Sequence, residues 1–319
     1  MKAKFLALAA LVLGLVSCQT EPEGLDVNVG GVVDTVVTVN IPEAETRSAA
    51  NSAVGAFTDG TCTEGVVRYI MQVYYNGETS ADEYHRQVTY STGTTVSFPV
   101  RLVAGRHYNF VVWADVVAAE GDGDKHYNTT DLKNITLKGE WNAMDETRDA
   151  FTGYYDTAVH GDKTPYNGAK SINIDLYRPF AKLRVVTTDY NVLNSYGVTP
   201  TYATVSYTTD HRVAFNAFSG QAMAATESGK THEYEIKTYS GETDAARTIF
   251  ADYFFAENDV VKFSFNVYED AAKTKLIKQI NFNTDINVRR NYLTTLMGDV
   301  LTEGGNIGVT VRVHQSSLH

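Results

Sequence analysis

The chain has 319 residues, and 38 Asp and Glu against 27 Lys and Arg give a formal charge of −11, which becomes −13 once Lys2 and Lys4 leave with an N-terminal signal. That acidity disfavours nucleic acid or an anionic membrane surface as a partner, and both are excluded from the reading. Of the two cysteines one sits at a processing site, so no intrachain disulfide is expected in the mature chain; stability must come from apolar cores, and this length suffices for two.

In chain order, Lys2 and Lys4 precede an apolar run, Phe5–Val16, that is too short to span a bilayer. Residues 1–17 read as a secretory signal peptide. Its closing Leu15-Val16-Ser17-Cys18 resembles the bacterial lipobox, which implies that Cys18 is lipidated and becomes the new N-terminus; an ordinary signal with an incidental cysteine is the alternative. Gln19–Gly24 is a polar leash carrying Glu21 and Glu23, and in lipoproteins of the Bacteroidetes, which the lipobox resembles here, such acidic positions imply export to the outer leaflet. Next, Val33, Thr35, Val37, Val39 and Ile41 fall on one face while Asp34, Thr38 and Asn40 interrupt the other, the period-two pattern of a half-buried strand. Pro42 stops it. The small, polar run Glu43–Ser52 then carries one basic residue, Arg47, of the kind a trypsin-like protease finds in an exposed linker.

From Val66 the alternation recurs with turn residues between, and no helical period is sustained. Val67-Tyr69-Met71-Val73-Tyr75, Tyr84-Arg86-Val88-Tyr90, Val96-Phe98-Val100-Leu102 and Tyr108-Phe110-Val112-Ala114 read as antiparallel neighbours. Glu120–Thr130 is a polar loop, Ile135 and Leu137 a short strand, and Gly153–Lys170 a second long loop that marks the boundary in the middle of the chain. The second half opens with Ile172-Ile174-Leu176; Pro179 cannot donate to a ladder and marks a bulge or a crossing between sheets. Stripes continue to Val313, with a short helix expected within Phe218–Glu227. The expected organisation is all-β: a lipidated leash and N-terminal strand over 18–47, a β-sandwich over 48–170 and a second over 171–319.

Catalytic constellations are thin. Asp122, Asp124, His126, Asn128 and Asp131 make an acidic loop without the glycine spacing or closing Glu of an EF-hand, and His107, His126 and His160 are scattered. There is no Gly-x-Ser-x-Gly elbow and no phosphate-cradling glycine loop. No catalytic residue, metal ligand or cofactor is assigned, and the 20 tyrosines, mostly on strand stripes, read as packing residues.

Three stretches, taken with the lipobox and the strand before Arg47, carry a resemblance: Asp149-Ala150-Phe151-Thr152-Gly153; Leu176-Tyr177-Arg178-Pro179-Phe180-Ala181-Lys182-Leu183-Arg184-Val185; and Arg289-Arg290-Asn291-Tyr292-Leu293-Thr294-Thr295-Leu296 followed by Gly298. Together they resemble the fimbrillin-like lipoproteins of Bacteroidales, the type V pilins, over most of the chain. The resemblance implies two transthyretin-like or Ig-like antiparallel β-sandwich domains and a precursor held at the outer membrane, on the cell surface, by a lipid on Cys18. It further implies cleavage between Arg47 and Ser48 and departure of the strand bearing Val33, Val37, Val39 and Ile41. A neighbour's C-terminal strand, here the segment with Ile307, Val309, Val311 and Val313, would fill the vacated groove, so the partners are other fimbrial subunits. Only Thr302–Asn306 separates that segment from Leu301, so it can equally finish the second sandwich. A subunit without a free donor suits a tip or accessory position, and one left uncut suits an anchor. The alternative is a monomeric surface lipoprotein that binds a glycan or host protein through Glu120–Thr130 and Gly153–Lys170.

Overall fold

A computed structural model describes residues 30–42, 56–58, 61–75, 82–139, 142–157, 166–224, 226–239, 242–302 and 312–317. Eleven strands precede Pro179: β1 (Val32–Asn40), β2 (Phe57–Thr58), β3 (Thr61–Cys62), β4 (Val66–Tyr75), β5 (Asp82–Ser91), β6 (Thr95–Val103), β7 (Tyr108–Val117), β8 (Tyr127–Asn128), β9 (Ile135–Leu137), β10 (Ala150–Asp156) and β11 (Ser171–Asp175). Twelve follow it: β12 (Phe180–Thr187), β13 (Tyr202–Tyr207), β14 (His211–Arg212), β15 (Ala214–Asn216), β16 (Gln221–Ala222), β17 (Thr226–Glu227), β18 (Thr231–Glu235), β19 (Arg247–Phe255), β20 (Asn258–Tyr268), β21 (Leu276–Arg289), β22 (Tyr292–Gly298) and β23 (Arg312–Ser317). One α-helix, α1 (Tyr190–Ser195), lies among the described residues.

The protein is an all-β sandwich fold. A three-stranded sheet in the order β11-β1-β6 packs on a four-stranded one, β10-β7-β4-β5, around Val37, Val39, Phe98, Leu102, Tyr69, Met71, Phe110 and Phe151. A six-stranded sheet, β17-β14-β19-β12-β22-β23, packs in the same way on β18-β13-β20-β21 around Leu183, Val185, Val205, Phe250, Phe254, Phe263 and Phe265. The ladders are antiparallel except for β1 with β11 and β12 with β22, whose partners are far apart in sequence, as parallel pairing requires.

A third apolar cluster joins the two halves. β4 and β7 are buried on both faces, because one side lines the first core while Ile70, Tyr74, Val111 and Trp113 on the other meet Phe180, Phe215, Tyr253 and Phe255. Over this cluster lies a small sheet, β16-β15-β9-β8, in which Phe215 pairs with Ile135 and Ala214 with Thr136, so strands from both halves share one ladder.

Several expectations change. β11, expected to head the second half, pairs with β1 (Val37 with Ile172, Val39 with Ile174), and its apolar side chains belong to the first core. Local alternation shows that a strand exists and says nothing about which distant strand it joins. The loop expected from Gly153 begins later, since Gly153 is inside β10; a Cβ there would come within 2.6 Å of Leu176 Cδ2 and 2.8 Å of the Asp175 carbonyl, so the close approach of β10 to the end of β11 requires glycine. No helix forms in the described part of Phe218–Glu227: the Asn216 side chain accepts the backbone N–H of Phe218 and Ser219 in an Asx-type turn, and Gly220 follows at φ +67°.

Candidate functional site

β1 lies between two strands, antiparallel to β6 from Val32 (opposite Val103) to Asn40 (opposite Thr95), and parallel to β11 from Val36 to Asn40. Its core-facing row is Val33, half-buried, then Thr35, Val37, Val39 and Ile41, all buried; Val32 and Val36 on the other face are 59% and 43% exposed. Burying Val37, Val39 and Ile41 contributes about 5–9 kcal/mol gross, at about 1.5–3 for each side chain. Backbone bonds fasten both ends, Gly30 N–H to the Ala104 carbonyl (2.9 Å) and Ile41 N–H to that of Thr94 (2.8 Å). The Thr35 hydroxyl donates to the Ala169 carbonyl (2.9 Å) and lies against the Tyr166 phenol, whose pKa burial pushes up against the lowering effect of that bond. β11 has its entire ladder with β1.

The three stretches that carry the family resemblance converge where the halves meet. Arg178 forks onto Asp149, Nε to Oδ1 and Nη2 to Oδ2, each at 2.7 Å, with both side chains buried and the guanidinium 4.8 Å above the Phe151 ring. Lys182, also buried, donates to Glu146 Oε2 (2.6 Å) and the Tyr253 hydroxyl (2.7 Å); burial lowers its pKa and the Glu146 charge opposes that. From the third stretch, Asn291 takes φ +59° in the β21–β22 turn and donates its N–H to the Phe180 carbonyl (2.6 Å). Arg148 pairs with Asp252 at 3.0 Å, and the Tyr207 hydroxyl donates to the other oxygen at 2.7 Å; burial raises the Asp252 carboxyl to about 6, although the Arg148 charge pulls it down. On the outer side of this junction an open cavity of about 560 Å³ is lined by Gly153, Tyr154, Tyr177, Arg289, Arg290 and Tyr292.

The acidic loop turns inward. Asp124 accepts the Thr129 hydroxyl (2.6 Å) and backbone N–H (3.1 Å) and pairs with Arg68 at 2.9 Å, while Arg68 also forks onto buried Asp115. Its carboxylate is thus occupied by the fold. Among the described residues no group of three or more His, Cys, Asp or Glu could hold a metal ion, and no helix is long and apolar enough to cross a membrane.

Of the residues singled out from sequence, Val33, Val37, Val39 and Ile41 share the inward row of β1. Val313 lies in β23, which pairs with β22 (Val313 opposite Leu296) at the edge of the six-stranded sheet. Cys18, Arg47, Ser48, Ile307, Val309 and Val311 fall outside the described residues. Sequence reading missed the pairs Arg178–Asp149, Lys182–Glu146, Arg148–Asp252 and Arg68–Asp115. The available signal was a charged residue between apolar neighbours of one strand, as with Lys182 between Ala181 and Leu183.

The model of a protein family described as a family of unknown function, DUF6562, matches residues 27–314. No curated protein matches the sequence. Among solved structures, the chain is similar to a "putative cell adhesion protein" from Bacteroides uniformis (12% identity, 91% of this chain and 98% of that one covered, TM-score 0.49). It is also similar to the C-terminally truncated tip fimbrial protein Mfa3 from Porphyromonas gingivalis (12%, 89% and 99%, TM-score 0.48) and to the fimbrial anchor protein Mfa2 from the same organism (11%, 90% and 99%, TM-score 0.43).

Proposed function

The chain belongs to the DUF6562 family, and with that as the starting point we propose that it is a structural or accessory subunit of a cell-surface fimbria, assembled by exchanging β1 for a strand of a neighbour. The observation that carries this reading is the setting of β1: a nine-residue strand between two others, its inward row in the core, followed by Pro42 and a linker with a single basic residue, Arg47. Removing such a strand leaves an apolar slot and two unpaired edges, a state primed to take an extended segment from another chain. A strand still tethered competes at an effective concentration of about millimolar, so cutting the link acts as an irreversible switch.

In the same reading Cys18 carries the lipid that holds the precursor at the outer membrane. The chain divides between Tyr177 and Pro179, with β11 in the first sandwich. β23, already paired with β22, suits a tip or accessory position better than a shaft position. A second reading, a monomeric surface lipoprotein that binds a glycan or host protein, is favoured by one observation: Tyr154 and Tyr177 are exposed at a cavity that Arg289 and Arg290 also line.

Limited trypsin digestion separates the two. The fimbrial reading expects a cut after Arg47 and the appearance of strand-exchanged oligomers by size exclusion, and on intact cells an N-terminus at Ser48 by mass spectrometry. Cut protein that stays monomeric and admits no strand overturns it.

A further inference from the structure

We propose that the β1 slot selects a hydroxyl-bearing residue at one inward position, and that its occupant after exchange is therefore a strand of another subunit bearing Ser or Thr there, and not the C-terminal segment of a second copy of this chain. The inference rests on the strand-exchange reading above.

Thr35 is the one polar residue in an inward row otherwise made of Val33, Val37, Val39 and Ile41, and it is 1% exposed. Its Oγ1 lies 2.5 Å from the Tyr166 hydroxyl and 2.9 Å from the Ala169 carbonyl, and the Tyr166 hydroxyl is itself 2.5 Å from that carbonyl. Two hydroxyl protons thus serve three oxygens. Tyr166 is held in place, buried, edge-on to Tyr108 with ring centroids 6.1 Å apart. Everything in this polar triangle except Thr35 belongs to the wall of the slot and stays behind when β1 leaves. A strand with valine at that point would fill the same volume but press a methyl group against the Tyr166 hydroxyl and Ala169 carbonyl oxygens, which loses a hydrogen bond in a slot whose Thr35 and Tyr166 are buried. The slot therefore reads apolar, hydroxyl, apolar, apolar, apolar on alternate residues.

The C-terminal segment of this chain does not match that pattern. Were Ile307–Val313 to enter the slot extended, one set of alternate residues would be Ile307, Val309, Val311 and Val313, with no hydroxyl. The other set would be Gly308, Thr310 and Arg312; placing Thr310 beside Tyr166 would set Arg312 or Gly308 where the slot holds Val37 in a dry core, whichever way the segment ran. The fitting occupant is a segment of alternating β-branched apolar residues with one inward Ser or Thr.

The test is a competition on the full chain nicked by trypsin at Arg47 and loaded with a fluorescent peptide of residues 32–42. Unlabelled competitors are that peptide, its Thr35→Ser and Thr35→Val forms, and a peptide of residues 307–317, read by fluorescence anisotropy. The Ser form should compete within about threefold of the parent and the Val form about tenfold more weakly, the scale of one lost buried hydrogen bond. The 307–317 peptide should not compete. In nicked Tyr166→Phe chain the gap between the Thr and Val forms should shrink, since the two hydroxyls are coupled. Equal competition by the Val form, or by 307–317, overturns the selection while leaving strand exchange standing. Failure of every peptide, the parent included, to enter overturns both.

Discussion

Arg178 and Asp149 stand 29 positions apart in sequence, yet they meet through two short bonds out of contact with water. A buried pair of this kind adds little against a well-packed apolar substitute, but removing one partner strands the other charge. Asp149→Ala should therefore lower unfolding free energy by about 3–5 kcal/mol in urea titrations, and the double change Asp149→Leu with Arg178→Met should recover much of the loss. Gly153→Ala, with its Cβ forced against the Asp175 carbonyl, should cost about 1–3 kcal/mol as overpacking. Two titrating groups act in opposite senses. Asp252, raised by burial from 3.8 to about 6, binds its proton more readily when folded, so its contribution is present below about pH 4 and is lost as pH rises toward 6. His211, lowered by burial from 6.5 to about 4 against the pull of Glu227, contributes stability that is present above pH 6.5 and lost as pH falls toward 4. Between pH 4 and 6, Asp252→Asn should steepen the rise of stability with pH, and His211→Asn should flatten it, as read from denaturation midpoints. None of these pairings was legible in the sequence, where Arg178 and Asp149 stand in separate short motifs; what was legible was that the motifs matter.

Among elements, β1 was the most legible, because a half-buried strand writes its period of two into the chain and Pro42 marks its end. β11 was legible as a strand and misplaced in the fold, since a parallel ladder formed across a long connection leaves no local trace. The helix was missed because α1 is six residues long, too short for a helical period to declare itself. The dependence of β11 on β1 has a measurable result. Val37→Asp puts a charge in the first core, and by hydrogen exchange the amides of Ser171–Asp175 should lose protection by about tenfold or more beyond the loss that those of β13 and β20 in the second core share through global unfolding. Equal loss in both places would show that β1 does not govern β11 in particular.

For the whole molecule, the two sandwiches read from sequence are present as two cores, and what periodicity could not reveal is the third cluster that joins them. Trp113, Tyr127, Phe180, Phe215 and Phe255 mix residues from both sides of Pro179, and the Arg148–Asp252 and Lys182–Glu146 pairs cross the same plane. The described halves should consequently unfold together, with calorimetric and van't Hoff enthalpies in agreement, whereas Phe180→Ala should divide the transition in two.

The two ends of β1 are unequally anchored: Val32 is largely exposed and Val33 half-buried, while Val37, Val39 and Ile41 are wholly enclosed. Because the slot is walled on both sides from Val36 to Asn40, a strand entering it in the proposed exchange would not dock broadside. Under the strand exchange proposed above, it would gain a toehold at the loose Val32 end and migrate inward one residue at a time, peeling the resident as it advances. Two extra residues paired at that end would then speed replacement far more than the same two added beyond Ile41.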